Sequence, residues 1–411
     1  MAQHTIVGGG IIGLMCAYYL SEAGRQVTVI DRLVPGDDGQ ASYGNAGVLA
    51  VGSVMPLGEP GLIWQGLKML VTADSSLSIP WRYRLAIMPW LVRLLRESSA
   101  HRQDQNAQAI SQLNALSNRN WRALISDLNL QDEFRDSGWL KLFESDAAMA
   151  AMATQKPYLD AVGLSYQQLT ADEVRQLEPS LGHQFRHGML QSQAQTIRQP
   201  HRLLIRLADQ LQRRGVIFLQ GEAREIKPEA DQFVVTGPDL KHRCSALTVC
   251  AGAWSQRLLA TLGDTFPLET ERGYHLQFSG HSELSRSVMH MEKHLVLSPM
   301  DDGLRMTAGV ELAGLDAPAD FAWVRRKVAI ARQILPSVDF TEQSTWLGFR
   351  PSLPDSVPVI GAHPRWPNLT LAFGHGHLGM TQSAATGHLL AQTIQGLPSD
   401  IPIGPYRADR F

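Results

Sequence analysis

The sequence predicts a mixed α/β fold, and two glycine-rich turns, each between an apolar strand and a helix, are the observations that predict it. The first turn lies near the N terminus and the second near the C terminus. Between them, strand and helix patterns alternate without repeats or low-complexity tracts. At 411 residues the chain is long enough for two domains, each with its own core.

The first turn belongs to a complete strand–turn–helix–strand unit. A strand from His4 to Val7 precedes residues 8–13, G-G-G-I-I-G, which fit the pattern G-x-G-x-x-G. The helix that follows stops at Gly24, and a second strand, 27–30, ends on Asp31. This order of elements, with an acid at the end of the second strand, is typical of a dinucleotide-binding unit.

The residue types in this unit have physical reasons. Gly8 lets the chain turn tightly off the strand, and Gly10 leaves room for a pyrophosphate against the backbone. Gly13 lets the helix lie close to the sheet, so that its positive end faces the phosphates. Asp31 can accept hydrogen bonds from ribose hydroxyls, and its charge repels a 2′-phosphate. The unit therefore predicts a bound adenine dinucleotide.

The second turn, residues 374–381 with the sequence G-H-G-H-L-G-M-T, follows a strand from Leu369 to Phe373 and opens another helix. A helix N-terminus stabilises the negative charge that reduction places on a flavin ring, whereas a nicotinamide has no obvious need for it. The second turn thus favours a flavin. His375 and His377 are two residues apart and lack a nearby third ligand, so we expect no metal site.

Other elements follow from periodicity and end signals. Thr170 and Glu173 form a capping box at the start of a short helix. The remaining predicted elements are helices at 104–130, at 200–214 beginning with Pro200, and at 321–335, and strands at 216–219, 233–236 and 247–250.

Composition excludes several classes of function. A net charge of −2 and an isoelectric point near 6.7 give no electrostatic reason to expect nucleic-acid binding. Cys16, Cys244 and Cys250 are an odd number at spacings that suit neither a disulfide framework nor zinc, so we expect a reducing cytoplasm. The one unusual segment is 61–95, which is rich in Trp, Leu and Ile. Its helices pack on the body of the protein or else present a face to a membrane or partner.

A third segment, residues 348–355 with the sequence G-F-R-P-S-L-P-D, contains a candidate substrate ligand. Arg350 has the side chain best shaped to hold a carboxylate through two parallel hydrogen bonds. The alternative is that an acid such as Asp355 holds Arg350 in a turn stiffened by proline.

Five motifs, in this order along the whole chain, carry a family resemblance: G-x-G-x-x-G at 8–13, S-Y-G-N-A-G at 42–47, A-G-A-W-S at 251–255, and the segments 348–355 and 374–381. Together they resemble the FAD-dependent D-amino-acid oxidase family, most closely its bacterial D-amino-acid dehydrogenase branch. The resemblance implies a Rossmann-like FAD-binding domain (1–55, 195–265 and 340–411) interleaved with an antiparallel-sheet substrate domain (56–194 and 266–339).

The resemblance also implies roles for individual residues. Arg350 would hold the substrate carboxylate, and His377 is a further catalytic candidate. Tyr274 would support the same carboxylate or face the amine, although a tyrosine after a glycine in a strand is as often a core residue. The implied FAD contacts are Gly8, Gly10, Ile11, Ile12, Gly13, Asp31, Arg32, Ser42, Asn45, Ala46, Gly47, Ala223, Ala251, Gly252, Trp254, Gly376, His377, Leu378, Gly379, Met380 and Thr381.

The activity implied is oxidation of the Cα–N bond of a D-amino acid by hydride transfer to flavin N5. The imino acid would then hydrolyse to a keto acid and ammonia, and the electrons would pass to oxygen, a quinone or a partner protein. The alternatives are a secondary-amine dehydrogenase or oxidase acting on D-proline, hydroxy-D-proline, sarcosine or glycine, and a flavin-binding subunit with an assembly role. We expect a cytoplasmic protein, with peripheral contact to the inner face of the membrane through 61–95 left open.

Overall fold

Two large sheets organise the part of the chain that the computed structural model describes, residues 3–58, 77–280 and 282–411. The first has six strands, and five of them are parallel. The sixth, Val359–Ala362, is antiparallel to its neighbour. The order across the sheet is Ile217–Gln220, Gln26–Asp31, Gln3–Val7, Leu247–Val249, Leu369–Phe373 and Val359–Ala362.

Two helices are packed closely beside this sheet, and each follows one of the glycine-rich turns. The first helix, Ile11–Glu22, contacts the C-terminal helix, Gly379–Gln395. Their backbones approach so closely that a Cβ atom on Gly387 would lie 2.5 Å from the carbonyl oxygen of Met15. The two turns are therefore held next to each other at one end of the sheet.

The second sheet is mainly antiparallel and has nine strands among the described residues. Most of the strand residues are buried, because helices or other strands cover both faces. Its order is Glu342–Ser352, Glu269–Phe278, Gly303–Leu312, Leu295–Met300, Ser287–His290, Trp139–Phe143, His187–Gln191 and Gln167–Thr170, with Leu77–Ser78 beside Gly303–Leu312.

Two small sheets and the remaining helices complete the described fold. One small sheet consists of Glu225–Glu229, Gln232–Gly237 and Leu240–Cys244, and the other of Val48–Leu49, Gln195–Ile197 and Phe134–Arg135. The other α-helices are Met88–Glu97, Ala100–Asp127, Asp146–Ala151, Lys156–Ala161, Ala171–Leu177, Pro200–Arg213, Ser255–Leu259, Phe321–Arg325 and Val328–Ile334.

The mixed α/β fold class is confirmed, and so are most of the elements predicted from the sequence. The capping box is present, since Thr170 Oγ1 accepts from the N–H of Glu173 while the Glu173 carboxylate accepts from Thr170. The long helix begins at Ala100 rather than 104, because Ser99 caps it and accepts from the N–H of Arg102.

One element prediction was wrong. The predicted helix 321–335 is two short helices, joined through Arg326 and Lys327, where the N–H of Lys327 donates to the carbonyl of Val324 three residues back. Such i→i+3 bonds are tighter than those of an α-helix and interrupt its hydrogen-bond pattern. Arg350 lies near the end of the strand Glu342–Ser352, and not in the proline-stiffened turn of the alternative interpretation.

The strand positions bear on the predicted division into domains, which stays a prediction. The strands of the first sheet fall within 1–55, 195–265 and 340–411, as the division requires. Glu342–Ser352, however, lies in the second sheet although the predicted boundary at 340 assigns it to the first domain. The long helix Ala100–Asp127, predicted to lie in the second domain, packs against the C-terminal helix of the first.

Candidate active site

A cavity of about 480 Å³ lies where the two glycine-rich turns face the second sheet. Residues of both turns line it, together with residues from the strands Trp139–Phe143 and Glu342–Ser352. Its volume lies in the range that is usual for pockets that bind small molecules. The cavity therefore joins the predicted dinucleotide site and the predicted substrate ligand Arg350 in one space.

The first turn has the shape of a phosphate cradle. A Cβ atom on Gly8, whose φ is +115°, would lie 2.3 Å from the carbonyl oxygen of Cys250, so only glycine fits there. At Gly10, by contrast, a Cβ would point towards the cavity and meet only Ser42 Oγ, at 3.5 Å. The turn thus leaves backbone open towards the cavity at the point where a pyrophosphate needs to approach.

Asp31 lies beside Gly9 of this turn, and each oxygen of its carboxylate accepts one backbone hydrogen bond. Its Oδ2 accepts from the N–H of Gly9 at 2.5 Å, and its Oδ1 accepts from the N–H of Leu33 at 2.9 Å. Burial raises the pKa of this carboxyl, and the two backbone hydrogen bonds oppose that shift. Because a carboxylate has about four acceptor positions, Asp31 can still accept from ribose hydroxyls.

The second turn places the start of the C-terminal helix against the same cavity. Gly374 and Gly376 have φ of +89° and +51°, which favour glycine. The first turn of the helix is anchored from outside, because Ser117 Oγ donates to the carbonyl of Thr381 at 2.6 Å and Trp121 Nε1 donates to that of Met380 at 3.1 Å. The long helix therefore fixes the position of this helix N-terminus.

The structure brings most of the predicted cofactor contacts together. Those that line the cavity are Gly8, Gly10, Ile11, Ile12, Asp31, Arg32, Ser42, Asn45, Ala46, Ala223, Ala251, Gly252, Trp254, Gly376, His377, Gly379 and Met380. Arg32 also lies over the ring of Trp254, with its Cζ 4.4 Å from the ring centre.

Four predicted contacts lie behind the cavity wall instead. A Cβ on Gly13 would lie 1.8 Å from the carbonyl oxygen of Gly8, so this glycine serves the packing of helix on strand. The N–H of Gly47 donates to Asn45 Oδ1 at 2.8 Å. Leu378 is buried in a core cluster, and Thr381 Oγ1 accepts from the N–H of Ala50 at 2.9 Å. These residues shape the site without facing it.

Arg350 lines the cavity from the strand Glu342–Ser352. Its guanidinium makes no hydrogen bond and no ion pair within the described ranges, and Asp355, the alternative partner, pairs with Arg410 instead. Burial lowers the pKa of Arg350, and the negative charge of Glu271, its partner in strand register, raises it. Arg350 therefore lines the cavity with the hydrogen-bonding capacity of its guanidinium unused.

Gly273 is a site residue that no sequence motif indicated. A Cβ at this position would lie 2.2 Å from Cζ of Arg350, so the guanidinium rests directly on the Gly273 backbone. The φ of Gly273 is not positive, so its backbone conformation is one that other residues can adopt. The requirement for glycine here comes from Arg350.

Tyr274 does not line the cavity. It is fully buried, and its hydroxyl donates to Glu311 Oε2 at 2.6 Å and accepts from the N–H of Asp320 at 3.1 Å. Burial, and then the hydrogen bond to Glu311, raises the pKa of Tyr274 to about 12. Its placement gives no support for the predicted contact with a substrate carboxylate or amine.

His377 and Lys141 line the same cavity as Arg350, and each has nitrogen in its side chain. Desolvation first, and then the charges of Arg350 and Lys141, lower the pKa of His377 to about 4, so the imidazole is neutral at pH 7. Lys141 was missed by the sequence reasoning, although a lysine in the apolar strand W-L-K-L-F, residues 139–143, is a signal that could have found it.

A strand–glycine turn–helix unit with an acid after the second strand, facing a second helix N-terminus across one cavity, defines a dinucleotide-binding oxidoreductase fold. A family model described as FAD dependent oxidoreductase, DAO, matches residues 4–393. The chain belongs to this family, and FAD is its cofactor. The resemblance inferred from the five motifs is thereby confirmed.

Curated relatives and solved structures match over nearly the full length. A D-amino-acid oxidase of Bradyrhizobium diazoefficiens is 32% identical, with 99% of this chain and 98% of the relative covered. A D-amino acid dehydrogenase of Vibrio vulnificus is 29% identical, with 97% of each covered. The crystal structure of glycine oxidase from Geobacillus kaustophilus superposes with a TM-score of 0.75 at 20% identity, covering 100% of both chains. This last likeness shows the fold alone.

None of the described helices is both long and apolar enough to span a membrane. The predicted apolar segment 61–95 is only partly described, since residues 61–76 lie outside the described ranges.

Proposed function

We propose that this protein oxidises the Cα–N bond of a D-amino acid, with FAD as the hydride acceptor, and passes the electrons on to a separate acceptor. The observation that carries the proposal is the guanidinium of Arg350, which faces the dinucleotide cavity without a hydrogen-bond partner among the described residues. An amino-acid carboxylate is the ligand that suits it. The choice of D-amino acids rests on the names of the two curated relatives.

The residues that would hold FAD are the two glycine-rich turns, Asp31 and the Asn45–Ala46 pair. When bound, FAD would supply the acceptor for a hydride, which carries the two electrons of the oxidation. The fit rests on the open backbone at Gly10, the unused acceptor positions of Asp31 and the helix N-terminus at Gly379. The structure of the chain itself then determines what happens to the substrate.

Arg350 would bind the substrate carboxylate through two N–H···O bonds and so fix the direction of the Cα–H bond. Such positioning contributes about 7–11 kcal/mol to lowering a barrier of this kind. Among the described lining residues the carboxylates are Asp31 and Glu222, which lie away from Arg350 at the end with the first turn. Glu271, the carboxylate beside Arg350 in strand register, is buried and does not line the cavity. With His377 neutral as well, we expect the substrate amine to react in its neutral form. Water then converts the imino acid to a keto acid and ammonia.

The test is anaerobic reduction of the purified flavoprotein. D-Alanine, D-proline, cis-4-hydroxy-D-proline, sarcosine, glycine and L-alanine are added separately, and bleaching of the flavin band is followed. Bleaching by D-amino acids but not by L-alanine is the expected result. A flavin that stays oxidised with all of them would refute the proposed substrate class while leaving the cofactor in place.

Arg350 is tested in the same assay with Arg350→Met. Its KM for the best substrate should rise at least 100-fold while FAD stays bound, because Met keeps the length of the side chain but has no donors. A KM within threefold of the wild-type value would remove Arg350 from the substrate site. An exposed arginine, Arg257, provides the control variant Arg257→Met.

A secondary-amine substrate is the second candidate. The glycine oxidase structure shares the fold, and the fold gives no preference between primary and secondary amines. Faster reduction by sarcosine or D-proline than by D-alanine would favour it. A subunit whose role is assembly, the third candidate, would bind FAD but would not be reduced by any amino acid alone.

For the electron acceptor, we propose contact with an anionic membrane surface through the described part of the 61–95 segment. Trp81, Leu85, Met88, Val92 and Leu95 are exposed apolar side chains, with 74% and 87% of Trp81 and Leu85 accessible. Four exposed arginines lie among them, Arg82, Arg84, Arg93 and Arg96, and residues 81–96 contain no acid. Apolar side chains flanked by arginine suit a negatively charged interface.

Sedimentation with lipid vesicles tests this contact. The protein should sediment with vesicles that contain phosphatidylglycerol at low salt, and Leu85→Glu should weaken its binding to them more than tenfold. Equal recovery with purely zwitterionic vesicles, or no recovery with either, would contradict the proposal.

A further inference from the structure

Lys141 is a buried cation that the proposed chemistry does not use. It lies in the middle of the strand Trp139–Phe143, and only 3% of its surface is exposed. The side chains at alternate positions, Leu140 and Leu142, belong to the core on the opposite face of the strand. Lys141 and Trp139 therefore share the face that lines the cavity.

The charge of Lys141 has no acidic partner within the described residues. Its Nζ lies 4.9 Å from the centre of the Trp139 ring. Its neighbours in register on the adjoining strands are Met189 and Met289, which are uncharged. Lys141 also lines the cavity, so an anion bound there could approach it. A buried ammonium is costly to hold unpaired, so an anion in the cavity would stabilise it.

Lys141 and Arg350 act on the same part of the cavity from different strands. His377 lines the cavity with both of them, and the charges of Arg350 and Lys141 both lower the pKa of its imidazole. Arg350 lies on the edge strand of the second sheet, whereas Lys141 lies on the sixth strand in the order of that sheet. The cavity thus presents two cations, and the carboxylates among its described lining residues, Asp31 and Glu222, belong to the end with the first turn.

We infer that the preferred substrate carries a second carboxylate, at the end of its side chain, and that Lys141 binds this group while Arg350 binds the α-carboxylate. The inference rests on the proposed function for the identity of the reaction. The chemical class is a D-amino acid with an acidic side chain, such as D-aspartate, D-glutamate or D-2-aminoadipate. Lys141 would select among substrates by charge, and the reacting bond would still be the Cα–N bond.

Burial lowers the pKa of Lys141 to about 8, so the side chain is mostly protonated at pH 7. A neutral Lys141 could instead take a proton from the substrate ammonium. That role predicts the same benefit for every amino acid, whereas a binding role predicts a benefit for acidic ones alone. The ratio of kcat/KM for an acid to kcat/KM for its amide separates the two roles.

The experiment compares two pairs, D-glutamate with D-glutamine and D-aspartate with D-asparagine, in wild type, Lys141→Met and Lys141→Arg. In wild type we expect an acid-to-amide ratio above 10 for at least one pair. Lys141→Met should bring that ratio close to 1, and Lys141→Arg should keep it above 3. Lys156→Met, at an exposed lysine paired with Asp160, is the control and should leave the ratio as in wild type. A wild-type ratio near 1, or a ratio that Lys141→Met leaves unchanged, would overturn the inference.

A binding measurement separates this inference from the proposed reaction. Calorimetric titration of the FAD-loaded protein with succinate, glutarate and adipate, each against the monocarboxylate of equal length, needs no turnover. Tighter binding of a dicarboxylate, lost in Lys141→Met, supports the two-cation site even if no amino acid reduces the flavin. Equal binding of both classes refutes the site even if D-alanine is a good substrate. Should Lys141→Met fail to fold, Lys141→Gln replaces it in both experiments.

Discussion

At the scale of single residues, alternation along one strand decides which side chains reach the substrate. Gly273 and Tyr274 are neighbours in the strand Glu269–Phe278, and successive side chains point to opposite faces. Gly273 supports the guanidinium of Arg350, while the Tyr274 hydroxyl bonds to Glu311. Both faces of this strand are buried, so no alternation of polar and apolar residues marks the cavity side. The sequence could therefore indicate the strand but not the face.

Gly273→Ala should raise KM for the amino acid about 10- to 100-fold. The added Cβ occupies the position of Arg350 Cζ and displaces the guanidinium, while the strand backbone accepts alanine without strain. Steady-state kinetics and thermal unfolding are the measurements, and the melting temperature should change little. Gly404→Ala is the control, because a Cβ at Gly404 meets nothing within 4 Å. A melting temperature that falls steeply while KM stays constant would count against this explanation.

At the scale of elements, the parts that the sequence predicted well are those whose constraints are local. The turn at 8–13 and the capping box at Thr170 each depend on residues close in the chain. The strand Glu342–Ser352 was missed because its pattern ends in prolines, which suit turns. It lies at the edge of the sheet, where a residue without an N–H such as Pro351 is tolerated. That edge position is a property of the tertiary fold.

The contact between the long helix and the C-terminal helix was beyond the sequence for the same reason. Ser117 and Ser111 are both buried serines on the helix Ala100–Asp127. Ser117 Oγ donates to the carbonyl of Thr381 and accepts from the N–H of Ala385, at 2.6 and 3.2 Å. Ser111 Oγ donates within its own helix, to the carbonyl of Gln108. The two serines look alike in sequence, and only the fold distinguishes them.

Ser117→Ala should destabilise the protein by about 1–3 kcal/mol, because it removes a buried hydrogen bond between elements. It should also weaken FAD binding, since the bond holds the first turn of the C-terminal helix in place. Urea unfolding and titration of the apoprotein with FAD are the measurements. Ser111→Ala, the matched variant, should cost less and leave FAD affinity unchanged. Equal effects of the two variants would show that the contact between the helices does not matter to the cofactor.

At the scale of the whole molecule, the interior holds several histidines in the neutral state. Burial lowers the pKa of His4 and His377 to about 4, of His375 to about 3 and of His275 to about 2. In the unfolded chain these groups gain protons as the pH falls through about 6.5, whereas in the folded protein they do not until the pH is far lower. Acid therefore stabilises the unfolded state relative to the folded one.

The free energy of unfolding should fall between pH 6.5 and 5.5 by up to about 1.4 kcal/mol for each such histidine. It should be nearly constant between pH 7 and 8 as far as these groups are concerned. Thermal unfolding across this range is the measurement, above the pH at which ordinary carboxylates titrate. His275→Gln should make the dependence shallower, and His101→Gln, at an exposed position, should not. A melting temperature independent of pH from 8 to 5.5 would contradict the prediction.

The strands of the two sheets alternate along the chain, and this explains which part of the site could be predicted from the sequence. The segments that form the dinucleotide cradle carry motifs, so Gly8, Gly10 and Asp31 could be predicted one by one. The substrate side is assembled from strands far apart in the chain, such as 139–143 and 342–352, and carries no motif around Lys141. Arg350 could be predicted from its own motif, whereas its place in one cavity with Lys141 could be known only once the sheet order was known.

One short connection ties the two sides of the site together. Ser352, two residues beyond Arg350, forms an antiparallel bridge with His375, one residue before Gly376 in the second turn. The strand that carries Arg350, the proposed substrate ligand, is thus linked by a backbone bridge to the turn proposed to support the flavin. Thermodynamic linkage makes any such coupling reciprocal. If bound FAD tightens the binding of a carboxylate to Arg350 by some factor, a bound carboxylate must tighten the binding of FAD by the same factor in the equilibrium constant.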